Sequence, residues 1–359
     1  MKAAICYEFG KPLVIEEVEL NPPQKGEVKV RLAATAICHS DIHDMRGELG
    51  GTVPFIGGHE SAGYVEELGE GVTSVNPGDT VVVSLVASCG KCLYCVTGRP
   101  HMCEAKWPID ADSRIRDKQG NTIRKMAKVG GFAEYVIVTE SQLVRVPKEI
   151  PMDRVALLAC GVITGFGAVV NRAQVKPLNS VVVIGTGGVG LNSIQGAAIS
   201  GACPVIAVDI SDSKLEAARS FGATHGVNAG RDDAVDAVKK LTAGRGADYV
   251  FVTVGSIAAI NQGFLMSGPR GTTVIVGLPL IKDNISLSPF EFIRSERMLT
   301  GSRMGSVNLS VDIPRLVELY QLGRLKLDEL ITGRYPLEQI NEAVASIERG
   351  EAIRNVIMF

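Results

Sequence analysis

"SVVVIGTGGVG", residues 180–190, decides the fold. Val181 to Ile184 have the β-branched, apolar pattern of a short buried strand. Glycines follow as G-x-G-x-x-G at Gly185, Gly187 and Gly190. In a strand–turn–helix that holds a dinucleotide, the first glycine makes the tight turn and the second lets the backbone approach a pyrophosphate. The third lets helix and strand pack closely. A helix opening at Gly188 and Val189 aims its free N–H groups at the phosphates. Such a motif alone is weak, but a second strand, "PVIAVD" (204–209), ends in Asp209 at the distance this unit requires. A carboxylate there accepts the ribose hydroxyls of NAD and repels the 2′-phosphate of NADP. An ordinary glycine turn with a helix cap at Asp209 accounts for less of this context.

The texture around that unit repeats it. "ADYVFVTVG" (247–255) and "GTTVIVG" (271–277) are further apolar strands separated by helix-like stretches. "SDSKLEAARSFGA" (211–223) reads as a helix with Ser213 and Glu216 in capping-box spacing and Gly222 as its stop. Alternating strands and helices imply a doubly wound parallel sheet. Before residue 151 the chain reads instead as β-rich, with "EVKVRLAATAIC" (27–38), "GYVEELG" (63–69) and "GDTVVVSLVAS" (78–88) divided by turn residues such as Asn76-Pro77-Gly78-Asp79. After about Arg303 a mixed pattern returns, with helices in 311–325 and 336–352 and a final strand, "RNVIMF".

Composition narrows the function. The 359 residues suffice for two or three domains. Lys plus Arg number 37 against 39 Asp plus Glu, a net charge of −2, so no basic face marks a nucleic-acid binder. The uncharged run between Lys176 and Asp209 reads as buried strand–helix–strand because glycines and polar residues interrupt it, so no membrane span is expected. The N-terminus lacks the apolar run of a signal peptide, which points to a cytoplasmic protein whose eight cysteines serve metal or thiol chemistry.

Half of those cysteines lie in "CGKCLYCVTGRPHMC" (89–103), as C-x2-C-x2-C-x7-C. Cys89, Cys92, Cys95 and Cys103 can fill a tetrahedral zinc and leave no position for substrate, which makes the site structural. An iron–sulfur cluster is the rival for such spacing. A second set is scattered: "CHSDIH" (38–43), "GHESAGYVEELGEGV" (58–72) and "CGVITG" (160–165). Taken singly, Cys38, His59 and Cys160 read as packing or as satisfied polar residues, and spacing alone does not assemble them.

Together, in this order, these motifs resemble the zinc-dependent medium-chain alcohol dehydrogenases, and the resemblance runs the whole length to "GEAIRNVIMF" (350–359). It implies a GroES-like β-rich catalytic domain (1–161 and 304–359) and a Rossmann NAD-binding domain (162–303). It implies two zinc ions per subunit: a catalytic one on Cys38, His59 and Cys160, and a structural one on the four-cysteine lobe. Glu60 falls beside the catalytic zinc, Ser40 on the hydroxyl that takes the alcohol's proton, and His43 on the histidine that passes it to solvent through the cofactor ribose. His39, Thr164, Lys214, Val254, Val276, Leu278 and Arg354 fall on cofactor contacts, beside the glycines and Asp209. Many members have arginine where His39 stands.

The implied reaction is hydride transfer between a primary alcohol or aldehyde and NAD. Leu49, Leu85 and Leu278, by position, make an apolar pocket for an aliphatic or aromatic alcohol. A glutathione-dependent formaldehyde dehydrogenase is the enzymatic alternative, and a non-catalytic zinc-binding relative is the alternative of another class. A homodimer or homotetramer is expected. The charged stretch 106–131 reads either as a substrate-side loop or as a solvated surface insertion.

Overall fold

The computed structural model describes all 359 residues. It divides into two units, Met1–Cys160 with Asn308–Phe359, and Gly161–Val307.

The first unit is built on a seven-stranded sheet around Glu27–Ala36, which pairs antiparallel with Glu60–Leu68, Tyr135–Thr139 and the C-terminal strand Arg354–Met358. A smaller four-stranded sheet carries Lys2–Cys6 at its centre. Alternation in the sequence sends Val28, Val30 and Leu32 into a valine-rich core with Val65, Val81, Val83, Val136 and Val138. A second core gathers Ile5, Ile37, Phe55, Phe132 and Ile357.

The segment 106–131 is not a solvated surface insertion. Its Ile115, Ile123 and Met126 are buried in that second core, and Ile109 and Val129 are buried as well. Two short strands tie it down, Ile115–Arg116 against Glu19–Leu20 and Arg124–Lys125 against Phe55–Ile56. Just before the first of them Arg114, itself buried, bonds Glu27 at 2.8 Å and Gln24 at 2.9 Å. The abundant charges hide five buried apolar positions that the rest of the unit covers.

The second unit holds a six-stranded sheet, all parallel, in the order His225–Asn228, Val205–Asp209, Val181–Ile184, Ala247–Val252, Ser267–Ile275, Met298–Gly301. The glycine motif leads into the helix Gly188–Ile199. The next helix, Asp212–Ser220, takes Ser211 and not Ser213 as its N-cap, and no side-chain cap bond forms. The Ser211 hydroxyl is instead paired with that of Ser213 at 2.9 Å. One helical run, Met152–Ala173, is long and apolar enough to cross a membrane, and 83% of its most apolar window is buried in the protein.

Candidate active site and metal centres

Strand register assembles the first centre. Ala36 pairs with Glu60 and Val356 with Ala36, so the residues just beyond these pairs converge at one end of the sheet. The Ile37 N–H bonds the Asn355 carbonyl at 2.9 Å, continuing the ladder past its last pair. Cys38 then begins the helix His39–Met45, while Gly58 and His59 enter the facing strand. Only glycine fits before His59: Gly58 has φ +87°, and a Cβ there would stand 2.8 Å from the Phe132 nitrogen. Cys160 arrives on a π-type turn, Leu158–Val162, whose approach is tied to the sheet by the Ser84 hydroxyl donating to the Ala159 carbonyl at 2.9 Å.

The ligand atoms of Cys38, His59, Glu60 and Cys160 all lie within 4.8 Å of one another, and all four residues are buried. His59 is oriented by a residue that the sequence reading missed. Asp41, fully buried, accepts a hydrogen bond from His59 Nδ1 at 2.9 Å, and also from the N–H groups of Gly58 (3.0 Å) and Cys38 (2.8 Å). That arrangement commits Nδ1 and leaves Nε2 as the ligand atom, the carboxylate–histidine–metal pattern. The Ser40 hydroxyl stands 3.5 Å from Nε2. The signal for Asp41 was available: an acid three residues after Cys38, where a helix's third position bonds back to its start.

The electrostatics are those of donors awaiting a cation. The Cys38 thiol is held well below its ordinary range, first because Cys160 donates a hydrogen bond to it, and Cys160 is correspondingly held well above. Burial opposes charge on His59, but Asp41 overcomes it and raises the imidazole well above its usual value. Burial pushes Glu60 up to about 8 against the pull of Arg354. Both Glu60 oxygens are buried without a hydrogen-bond partner; the Arg354 guanidinium faces one at 3.2 Å and also donates to the Ile37 carbonyl. Two sulfurs, one committed imidazole and an unsatisfied carboxylate suit a borderline-soft divalent ion such as zinc. His43 lies one helical turn on, its Nδ1 hydrogen-bonded to Glu48, a partner the sequence reading also missed. His39 is exposed, and Leu49 and Leu85 are half-buried.

The four-cysteine lobe is the second centre. Its four sulfurs also lie within 4.8 Å of one another, partly exposed, and none forms a disulfide. Cys92 and Cys103 sulfurs stand 3.8 Å apart, close to the ~3.8 Å edge of a tetrahedron with zinc–sulfur bonds of about 2.3 Å. Backbone N–H groups point at the sulfurs, from Cys89 to Cys103 and from Cys92 to Cys89, both at 3.3 Å. Such bonds lower Cys92 to about 6, while burial among its neighbours raises Cys95 to about 12.

In the second unit the expected cofactor residues gather at the carboxyl ends of neighbouring parallel strands, where open α/β sheets bind ligands. Gly185 to Gly190 follow Val181–Ile184, Asp209 ends Val205–Asp209, Val254 follows Ala247–Val252, and Val276 and Leu278 follow Ser267–Ile275. A Cβ on Gly190 would stand 1.8 Å from the Gly185 oxygen, whereas one on Gly187 would meet nothing within 4 Å. That open face is the space a pyrophosphate needs. Lys214 lies on the helix after Asp209, and Thr164 is buried on the helix Ile163–Gly167, which packs against Gly188–Ile199 through the Ser193 hydroxyl and the Gly165 carbonyl at 3.1 Å. Arg354, expected as a cofactor contact, belongs to the first unit, where its head group is directed at Glu60.

Known proteins share this architecture. Residues 24–148 match the alcohol dehydrogenase GroES-like domain and residues 188–321 the zinc-binding dehydrogenase domain. An NDMA-dependent alcohol dehydrogenase of Amycolatopsis methanolica is 40% identical over 99% of this chain and 98% of its own. A zinc-binding alcohol dehydrogenase domain protein from Burkholderia ambifaria has the same fold with a TM-score of 0.95, at 33% identity, covering 100% of this chain and 98% of that one. Benzyl alcohol dehydrogenase from Acinetobacter calcoaceticus matches with a TM-score of 0.93 and 32% identity, covering 100% and 99%. The chain is an oxidoreductase and belongs to the zinc-dependent medium-chain alcohol dehydrogenases.

Proposed function

We propose that the chain oxidises primary alcohols, aliphatic or aromatic, to aldehydes with NAD, using one catalytic and one structural zinc. The observation that carries this reading is the buried cluster of Cys38, His59, Glu60 and Cys160, with His59 oriented by Asp41. Three of these, Cys38, His59 and Cys160, hold the ion and leave a position for substrate oxygen. Zinc there supplies Lewis acidity, which polarises that oxygen and eases loss of its proton. Ser40 takes the proton, and His43, its ring held by Glu48, passes it toward solvent. With NAD bound, the carbon that bears this oxygen would give its hydride to the nicotinamide, so that alcohol and NAD would become aldehyde, NADH and a proton.

Within the second unit, Thr164, Lys214, Val254, Val276 and Leu278 join the glycine loop and Asp209 as cofactor contacts in this reading. The preference for NAD over NADP is supported by Asp209 at the end of Val205–Asp209. Benzyl alcohol dehydrogenase among the structural neighbours supports an aromatic substrate. A cytoplasmic homodimer or homotetramer fits the reading; exposed Phe290, Ile293 and Met298 on and beside the edge strand Met298–Gly301 support self-association.

Following absorbance at the NADH band against a panel of alcohols and aldehydes tests the reaction, and absence of turnover with every primary alcohol would sink it. Metal analysis should give two zincs per subunit. Asp209→Gly should relax the preference toward NADP. A second reading rests on the NDMA-dependent relative: the chain needs NDMA or a comparable acceptor. Under that reading alcohol is consumed with NDMA present and not with NAD alone.

A further inference from the structure

We propose that Thr186, inside the glycine loop, is a positioning residue that locks the Asp209 carboxylate and thereby sharpens the choice between NAD and NADP. The inference rests on the NAD reading above and adds a residue that the glycine motif leaves variable.

Both oxygens of the Asp209 carboxylate are held by its own chain. Oδ2 accepts from the Thr186 N–H at 2.8 Å and from the Thr186 hydroxyl at 2.9 Å. Oδ1 accepts from the N–H groups of Ile210 at 2.8 Å and Ser211 at 3.1 Å. Each oxygen thus has two donors from the chain, while the residue stays part-exposed, so its outer edge can still meet a ribose diol. Three of the donors are backbone groups that survive any substitution. The fourth, the Thr186 hydroxyl, depends on a side chain.

That hydroxyl is well protected. Thr186 is 1% exposed, so water competes little for the bond. Its backbone is held between Gly185, whose Cβ position would meet Val254 at 2.4 Å, and the start of the helix Gly188–Ile199. A hydrogen bond to a charged acceptor is among the stronger ones, and this one spans the two strands that carry the glycine loop and the acid.

The consequence concerns rotation. The torsion that turns an aspartate's carboxylate is broad and weakly restrained by its own sterics. A carboxylate free to turn can swing away from an incoming 2′-phosphate and lose part of its repulsion. One pinned through both oxygens keeps its charge and acceptor plane in place, so a ribose diol meets prepared acceptors and a phosphate meets fixed like charge. Without the hydroxyl, Oδ2 keeps only the Thr186 N–H and is held less firmly than Oδ1, so NADH affinity should fall and NADPH affinity recover in part.

The test is binding, not turnover: titration of NADH and NADPH fluorescence on the intact zinc-loaded protein without alcohol. The unmodified protein should bind NADH more tightly than NADPH; the reverse order would overturn the NAD reading itself. With that order established, Thr186→Val should lower the NADH-over-NADPH affinity ratio by about tenfold, or ~1.4 kcal/mol. Thr186→Ser, which keeps the hydroxyl, should restore it to within about twofold. If Thr186→Val weakens both nucleotides equally or leaves the ratio unchanged, the side chain only supports the loop and the proposal fails. Should the valine variant not fold, Thr186→Ala is measured in its place against the same ratio.

Discussion

Two clusters in the first unit each bring four metal-binding groups within 4.8 Å, yet they are built in opposite ways. The lobe takes all four sulfurs from fifteen consecutive residues and leaves them partly exposed, stabilised by backbone N–H groups. The other takes donors from three distant places, buries them all, and surrounds them with the charged Asp41 and Arg354. A closed sulfur shell can satisfy an ion but cannot admit a substrate. A buried mixed shell, whose carboxylate oxygens lack hydrogen bonds, keeps reactive capacity that a finished clip has lost. The more visible cysteine motif is therefore the less chemical one.

The contrast breaks most sharply at a single ligand. Cys38→Ser should remove the zinc of the buried cluster and lower kcat by at least about a thousandfold, some 4 kcal/mol of barrier. The lobe should keep its own zinc, so metal analysis should fall from two ions to one. Two ions with full activity would show that Cys38 is not a ligand. Cys92→Ser should act on stability instead, because metal binding by such a lobe contributes to folding free energy. Its loss should lower the unfolding temperature by about 10 °C, a few kcal/mol at this size, and a scan with an unchanged midpoint would refute the structural assignment.

Smaller changes sharpen the comparison. Asp41→Asn keeps the size of the residue that orients His59 but weakens its acceptor; zinc affinity at the buried cluster should drop about 10- to 100-fold, with the lobe unaffected in competitive chelator titrations. Equal loss from both sites would mean that Asp41 acts through general stability. The gentlest test concerns a third buried group, Lys125, which lacks a close carboxylate and donates to the Ile137 carbonyl at 2.6 Å. Burial lowers its pKa to about 7, with Glu27 opposing. The unfolded chain, with the ordinary value of 10.5, binds more protons between pH 7 and 10.5, so this lysine's share of stability rises with pH across that window. Lys125→Met should stabilise the protein by about 1–2 kcal/mol at pH 6, the gain shrinking as pH climbs past 7. A gain independent of pH in denaturant titrations would mean that the lysine is not buried as a charge.

Legibility follows the same division. The Rossmann strand–glycine–helix and the cysteine lobe were readable because each is written in contiguous residues whose spacing is itself the geometry. The cap of the helix Asp212–Ser220 sits at Ser211, two residues before the serine that capping-box spacing indicates, because several serines and an aspartate compete for one position and packing chooses. Segment 106–131 is hardest, since its buried apolar side chains sit among many charges and only partners such as Phe55 and Phe132, which pack with Ile115, Ile123 and Met126, reveal the core.

By itself, then, the sequence determined the parallel nucleotide-binding sheet, the acid at the end of its second strand and a four-sulfur clip, all consequences of local turn, strand and ligand spacing. Tertiary structure alone decided that Cys38, His59, Glu60 and Cys160 meet, that Asp41 orients the imidazole and that Arg354 faces Glu60. Those meetings depend on the register of Glu27–Ala36 with Glu60–Leu68 and Arg354–Met358. Register is fixed by which faces bury together, and residues so far apart in the chain carry no spacing that could announce it.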